Sequence, residues 1–158
     1  MRNIEIAKRE NRLDSLFERI GHAAQDAELQ SHWTRYLCIL VSGFLESSIR
    51  TTFASFANKR AQSNVASFVT AQLGFLQNPK MGKILELVRK FSAEWAEQLE
   101  ADTQGEIKAA VNSIVANRNK IAHGEDVSLG LVGLKDYYKS SKKLVKLIEQ
   151  LCDASGKS

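Results

Sequence analysis

The longest apolar stretch of the chain is "WTRYLCILVSGFLESSIRTTFASF", residues 33–56. Its apolar residues recur every three or four positions, which is the period of a helix that packs against neighbours. One predicted face carries Trp33, Leu37, Leu40 and Phe44, and the adjacent face carries Ile39, Ser42, Glu46, Ile49 and Phe53. Because Ser42 and Gly43 are small, a second helix can approach them closely. The stretch therefore predicts a central helix around which the other segments pack.

The remaining segments repeat this helical period, and the chain contains a single proline, Pro79. No segment shows the alternation of a half-buried strand. The sequence predicts an all-α fold, a bundle of about five or six helices in one domain spanning residues 1–158. Thr103 with Glu106 predicts a capping box, and Gly124 predicts a helix end in the left-handed conformation. The predicted helices cover residues 4–27, 30–59, 64–75, 80–100, 103–123 and 131–152.

The composition excludes several classes of protein. A balance of 22 basic against 18 acidic residues permits a polyanionic partner but lacks the basic excess of a histone-like binder. Cys38 and Cys152 lie far apart and are predicted to be reduced core thiols. The N-terminus has no signal-peptide pattern, and no uninterrupted apolar run approaches the ~20 residues of a membrane span. We therefore expect a cytoplasmic protein without a membrane segment.

No cysteine or histidine cluster has the spacing of a zinc site, so neither a metal nor a cofactor is expected. The C-terminal "SGKS" resembles part of a phosphate-binding loop but lacks the strand before it and the helix after it. His22 and His32 have no neighbours that indicate a site, and each is expected to be a surface or boundary histidine rather than a ligand.

The predicted helix 103–123 carries an arginine on its apolar stripe. Its stripe residues recur at spacings of four, three, four and three: Ile107, Val111, Ile114, Arg118 and Ile121. A guanidinium is not deprotonated in a protein, and burying it unpaired is costly in free energy. It therefore requires a carboxylate, a phosphate or a solvent-filled crevice. Glu46 is a candidate carboxylate, although it could instead pair with Arg50 four residues later. An RNA phosphate is a candidate ligand.

The segment "RNKIAHG", residues 118–124, places further polar side chains at the end of this helix. Asn119 and His123 share a face because they are four residues apart, whereas Arg118 and His123 are about 140° apart on an ideal helix. A helix end near His123, as Gly124 predicts, would let the two approach. Histidine, with a reference pKa of about 6.5, can then take a proton from a ribose 2′-hydroxyl while arginine grips the phosphate.

This segment resembles the R-x-x-x-x-H signature, with a polar residue after the arginine, of the HEPN ribonucleases, and is closest to their RiboL-PSP-type branch. The resemblance implies a homodimer that cuts RNA without a metal in a composite cleft. Arg118, Asn119 and His123 take the catalytic positions, with Glu46 and Lys120 in support. The products would carry a 2′,3′-cyclic phosphate and a 5′-hydroxyl.

The resemblance also implies a biological setting. Such domains are commonly toxins or antiphage defence effectors that an antitoxin or another partner protein holds in check. One subgroup carries a tyrosine two residues after the histidine, which a nucleotidyltransferase antitoxin modifies. This chain has Glu125 at that position and so departs from the subgroup.

The segment "KDYYKSSKKLVK", residues 135–146, combines cations with two aromatic rings. It is a candidate RNA-approach surface, because lysines can follow a backbone and a tyrosine can stack a base. A solvated helix face explains the same pattern. Two other functions fit the sequence: a catalytically silent HEPN-like module that binds a partner or a nucleotide, and a helical nucleic-acid-binding regulator. The residues of the candidate surface are Lys135, Tyr138, Lys139, Lys142 and Lys143.

Overall fold

The computed structural model describes residues 2–23 and 26–155, and this part of the chain is helical with no strand. The predicted all-α fold is thus confirmed. Residues 24 and 25 of the predicted first helix lie outside the described part, as do residues 156–158 of "SGKS". The predicted end of that helix at residue 27 is wrong, because Ala27 is the first residue of the next helix, which Asp26 caps. The described helices are α1 (Ile4–Ala23), α2 (Ala27–Arg60), α3 (Ser63–Leu73), α4 (Met81–Phe91), α5 (Ala93–Asp102), α6 (Glu106–Ala122) and α7 (Leu131–Ala154).

Helix α2 is the centre of the bundle, as the sequence predicted. It contacts α1, α3, α6 and α7, and its N-terminus is capped by Asp26, whose side chain accepts the N–H of Glu28. Ser42 is buried, whereas Gly43 is exposed with no atom within 4 Å of where a Cβ would lie, so the predicted close approach of a helix at Gly43 is wrong. Trp33, which was placed on a packing face, is 41% exposed. The fully buried apolar residues of α2 are Leu37, Cys38, Val41, Leu45, Ile49 and Phe53.

The length and apolar composition of α2 would allow it to cross a membrane, and no other described helix meets that test. Its most apolar window is, however, 56% buried against the rest of the bundle. Burial of this kind is typical of the central helix of a soluble bundle, where the apolar residues pack against other helices rather than lipid.

The single helix predicted for residues 80–100 is two helices that meet at Ser92. The Ser92 backbone is extended, with φ −162° and ψ 124°. Its N–H donates to the Val88 carbonyl and ends α4, and its hydroxyl accepts the Trp95 N–H at 3.2 Å and starts α5. Phe91 stacks on Phe53 with ring centroids 4.5 Å apart. The apolar period continues across Ser92, which is why the sequence pattern did not reveal the break.

The capping box predicted at Thr103 is wrong. The Thr103 side chain is buried, and its hydroxyl donates to the Leu99 carbonyl at 2.8 Å. Thr103 therefore closes α5, and α6 begins after Gly105, which has a φ of 84°. A threonine hydroxyl can bond to a preceding or a following backbone group, and the tertiary contacts select between them.

The two cysteines are free and buried, as predicted. Burial raises the pKa of Cys38 to about 11 and that of Cys152 to about 12, so both thiols stay protonated at neutral pH. We expect a thiol-specific disulfide reagent to leave the folded protein unlabelled and to label two thiols after denaturation. Absorbance of the released thiolate measures this, and rapid labelling of the native protein at neutral pH would contradict the expectation.

Candidate active site

Helix α6 carries the segment 118–124 to its C-terminal end and stops where the sequence predicted. Ala122 is its last residue, and the His123 N–H donates to the Asn119 carbonyl at 3.1 Å. Gly124 has a φ of 73°, the left-handed conformation expected of it. The Glu125 N–H then donates back to the Lys120 carbonyl at 2.9 Å. This ending leaves the His123 side chain exposed at the helix terminus.

Arg118 lies at the edge of the buried stripe of α6. Val111 and Ile114 of that stripe are fully buried, whereas Arg118 is half-buried. Its Nη1 donates to Oδ1 of Asn119 at 3.3 Å, and no carboxylate pairs with it within residues 2–23 and 26–155. The asparagine therefore orients the guanidinium of its neighbour. No hydrogen bond joins Arg118 to His123, and Lys120 is exposed beside them.

Glu46, the predicted carboxylate partner of Arg118, forms other contacts. Its Oε1 pairs with Nη2 of Arg50 at 3.0 Å, and its Oε2 accepts the Asn78 N–H at 2.6 Å. Arg50 in turn donates through Nε to the Leu76 carbonyl at 3.0 Å. Of the two pairings that the sequence allowed, the structure shows the one with Arg50. Glu46 thus anchors the connection between α3 and α4 and gives no support to Arg118 within this chain.

Replacing Glu46 by alanine is expected to lower the free energy of unfolding by about 1–3 kcal/mol, because the Asn78 N–H and the Arg50 guanidinium lose a charged acceptor. Thermal or urea unfolding measures the loss. The control is Glu86→Ala, which removes an exposed carboxylate paired with Lys83 at 3.8 Å and should change stability little. Unchanged stability of Glu46→Ala would contradict this assignment.

The lysine-rich face of α7 is only partly available to a ligand. Tyr138 is 2% exposed, its hydroxyl donates to Oδ1 of Asp14 at 2.7 Å, and its ring stacks on Phe17. Burial, followed by the Asp14 carboxylate, raises the pKa of Tyr138 above its usual range. Lys142 pairs with Asp14 at 3.3 Å. Stacking of a base on Tyr138 is therefore a wrong prediction. The exposed lysines of the candidate surface are Lys135, Lys139 and Lys143.

Sequence reasoning missed an exposed apolar surface on the N-terminal half of α2. It consists of Leu29, Trp33, Tyr36 and Ile39, which are 49%, 41%, 45% and 39% exposed, and we call it the α2 stripe. The neighbouring Arg35 reaches Asp126 just beyond α6, with Nη2 and Oδ1 3.5 Å apart. The α2 stripe is an apolar face of α2 that the other described helices leave partly uncovered. Periodicity could not reveal it, because core and interface stripes have the same spacing.

Residues 122–126, at and just after the end of α6, are all exposed. Three clefts of about 510, 390 and 620 Å³ are present, and their linings contain none of Arg118, Asn119 and His123. The largest of these clefts lies near the N-terminus, whereas the one of 510 Å³ is formed by α1 and α7. Among the described side chains, no group of three His, Cys, Asp or Glu residues is placed to hold a metal ion.

Comparison with known proteins identifies the family. The family model of RiboL-PSP-HEPN matches residues 4–154, which is nearly the whole chain. Neither a curated protein nor a solved structure matches the chain significantly. The family match confirms the resemblance seen in the sequence and supports, in general terms, a nuclease or an HEPN-like module. The chain belongs to the RiboL-PSP-HEPN family.

Proposed function

We propose that this protein is a metal-independent endoribonuclease whose active site is the end of α6. One observation carries the proposal. The half-buried guanidinium of Arg118 has a neutral amide as its described partner, and the exposed imidazole of His123 ends the same helix. A guanidinium that has no carboxylate partner can bind an anion, and an accessible imidazole can accept or donate a proton.

In this proposal each motif residue has one role. His123 takes the proton of the ribose 2′-hydroxyl, and the 2′-oxygen attacks the adjacent phosphorus. The bond from phosphorus to the 5′-oxygen breaks, and that oxygen leaves with a proton from water. Arg118 holds the non-bridging oxygens as charge develops on them, while Asn119 orients Arg118. Lys120 adds positive potential. The products are a 2′,3′-cyclic phosphate and a 5′-hydroxyl.

We further propose that two copies of the chain complete the site. An open surface at the end of α6 suits a cleft that a second copy closes. The α2 stripe supports this arrangement, because four neighbouring apolar side chains remain exposed on α2. In a two-fold dimer the same patch of each copy meets its counterpart, so both motifs would face one composite cleft.

The family resemblance supports a role as a toxin or antiphage defence effector in a prokaryotic cytoplasm, held in check by an antitoxin or another partner protein. The exposed lysines of α7 are proposed to guide RNA toward the site, since cations along one helix face can follow a phosphate backbone. These lysines are Lys135, Lys139 and Lys143, with Lys142 partly engaged by Asp14.

A catalytically silent binding module is the second candidate. It is favoured by apolar side chains that are exposed on and just after α3, away from the motif. Val65, Phe68 and Phe75 are 50%, 64% and 80% exposed. No charged residue lies between Ala61 and Pro79, so this surface suits an apolar protein partner.

Incubation with mixed cellular RNA in the presence of a chelator separates the two candidates. The nuclease should produce fragments whose 3′ ends carry a cyclic phosphate and whose 5′ ends can be phosphorylated directly by a kinase. Cleavage that requires a divalent metal, or that leaves a 5′-phosphate, would contradict the mechanism. Absence of cleavage by a verified dimer would favour the binding module.

A further inference from the structure

A second arginine lies where α2 packs on α6. The side chain of Arg35 is 34% exposed, and its Nη2 lies 3.5 Å from Oδ1 of Asp126. Its Nε is buried and makes no hydrogen bond in the described part of the chain. The Asp126 side chain is fully exposed, on the loop that follows the motif. Arg35 therefore has one weak, solvent-exposed partner and an unsatisfied buried donor.

The packing of α2 on α6 brings Arg35 to the level of Arg118. The Cys38 thiol donates to the Ile114 carbonyl at 3.7 Å, and Arg35 reaches Asp126 beyond the end of α6. Residues earlier in α2 thus contact residues later in the chain at α6, so the two helices are antiparallel. Arg35 lies three residues before Cys38 and Arg118 lies four residues after Ile114, which are displacements of roughly one turn along each axis.

Both arginines also lie on the sides of α2 and α6 that face each other. A step of four residues rotates a side chain by about 40° and a step of three by about 60°, so neither turns away from the contact. Within residues 2–23 and 26–155, neither guanidinium is neutralised by a buried carboxylate. Two cations at one level of the contact between α2 and α6 repel each other and together favour an anion.

We propose that Arg35 and Arg118 form one binding site for the phosphodiester backbone of RNA. Asp126 occupies Arg35 in the free protein, and a phosphate of the substrate displaces it. A phosphate oxygen would bond to the partly exposed Arg35 guanidinium with a short charge-assisted bond that the distant Asp126 carboxylate does not supply. Arg35 is then a positioning residue that holds the backbone while Arg118 grips the phosphate that reacts. The identity of the ligand as RNA rests on the proposed function.

Binding of a short fluorescent 2′-O-methyl RNA tests this proposal, because that oligonucleotide cannot be cleaved by attack of the 2′-oxygen. Fluorescence anisotropy over a range of salt concentrations gives the dissociation constant and its salt dependence. Arg35→Gln is expected to weaken binding about tenfold, as for the loss of one charged hydrogen-bonding contact. It should also reduce the slope of log affinity against log salt by about 0.7.

The control for Arg35→Gln is Arg19→Gln, which removes an exposed arginine of α1. Asp126→Asn should tighten binding, because the competing carboxylate is gone. The control for it is Asp102→Asn, which removes an exposed carboxylate at the end of α5. In the Arg35→Gln background, Asp126→Asn should have no effect if it acts through Arg35. Asp126 is fully exposed, so its replacement leaves the fold intact.

Equal binding by the Arg35→Gln and Arg19→Gln proteins would overturn the proposal. So would unchanged binding by Asp126→Asn, even if Arg35→Gln proved unstable. Failure of the proposed function is distinguishable from both outcomes. A protein that binds the oligonucleotide through Arg35 but never cuts natural RNA would contradict the proposed nuclease function. The proposed phosphate-binding site would still be supported.

Discussion

Replacement of His123 by alanine is expected to slow RNA cleavage by ~10²- to 10⁴-fold, the usual contribution of a positioned general base. The imidazole is the one motif group in the mechanism that accepts the 2′-hydroxyl proton, and alanine cannot replace it. The fold should be unaffected, because the His123 side chain is exposed and the helix end depends on its backbone N–H. Initial rates on a fixed RNA, with matched circular dichroism spectra, measure the effect.

His22→Ala is the matched control, since it removes an exposed histidine of α1 and should leave the rate unchanged. Arg118→Lys sharpens the test. Lysine keeps the charge but loses the planar, bidentate grip on a phosphate, so its rate should fall substantially while the protein stays folded. A folded, dimeric His123→Ala protein with the wild-type rate would remove His123 from the chemistry and with it the proposed mechanism.

A glutamate at Trp33 is expected to convert the proposed dimer to a monomer and to reduce cleavage as severely as the loss of His123. Trp33 is 41% exposed on the α2 stripe and contacts Tyr36 edge to face, with ring centroids 5.9 Å apart. In a two-fold interface the substitution removes apolar contact area and places like charges near each other in both copies. Light scattering after size exclusion measures the mass, and the RNA assay measures the rate.

Phe68→Glu is the control, because Phe68 is 64% exposed on α3 and lies outside the α2 stripe. That variant should remain dimeric and active. A Trp33→Glu protein that stays dimeric would show that the interface lies outside the α2 stripe. A monomeric Trp33→Glu protein with full activity would show that one chain suffices and would contradict the composite cleft.

The α6 motif shows how far local sequence information reaches. The stripe of Val111 and Ile114, the intrusion of Arg118 and the left-handed Gly124 were all predicted, because each depends on residues within one or two helical turns. Ser92 marks the limit of such reasoning. Its capping hydroxyl was hidden by an apolar period that continues from α4 into α5, and the break became visible only in the backbone.

The sequence by itself determined the all-α class, the central position of α2 and the place where α6 ends, since periodicity and capping are local properties of the chain. Tertiary structure alone decided the partners of the charged and aromatic side chains. It paired Glu46 with Arg50 and Asn78, buried Tyr138 against Asp14, and brought Arg35 to the level of Arg118. Such pairings depend on how helices distant in sequence are aligned along each other, and no local pattern encodes that alignment.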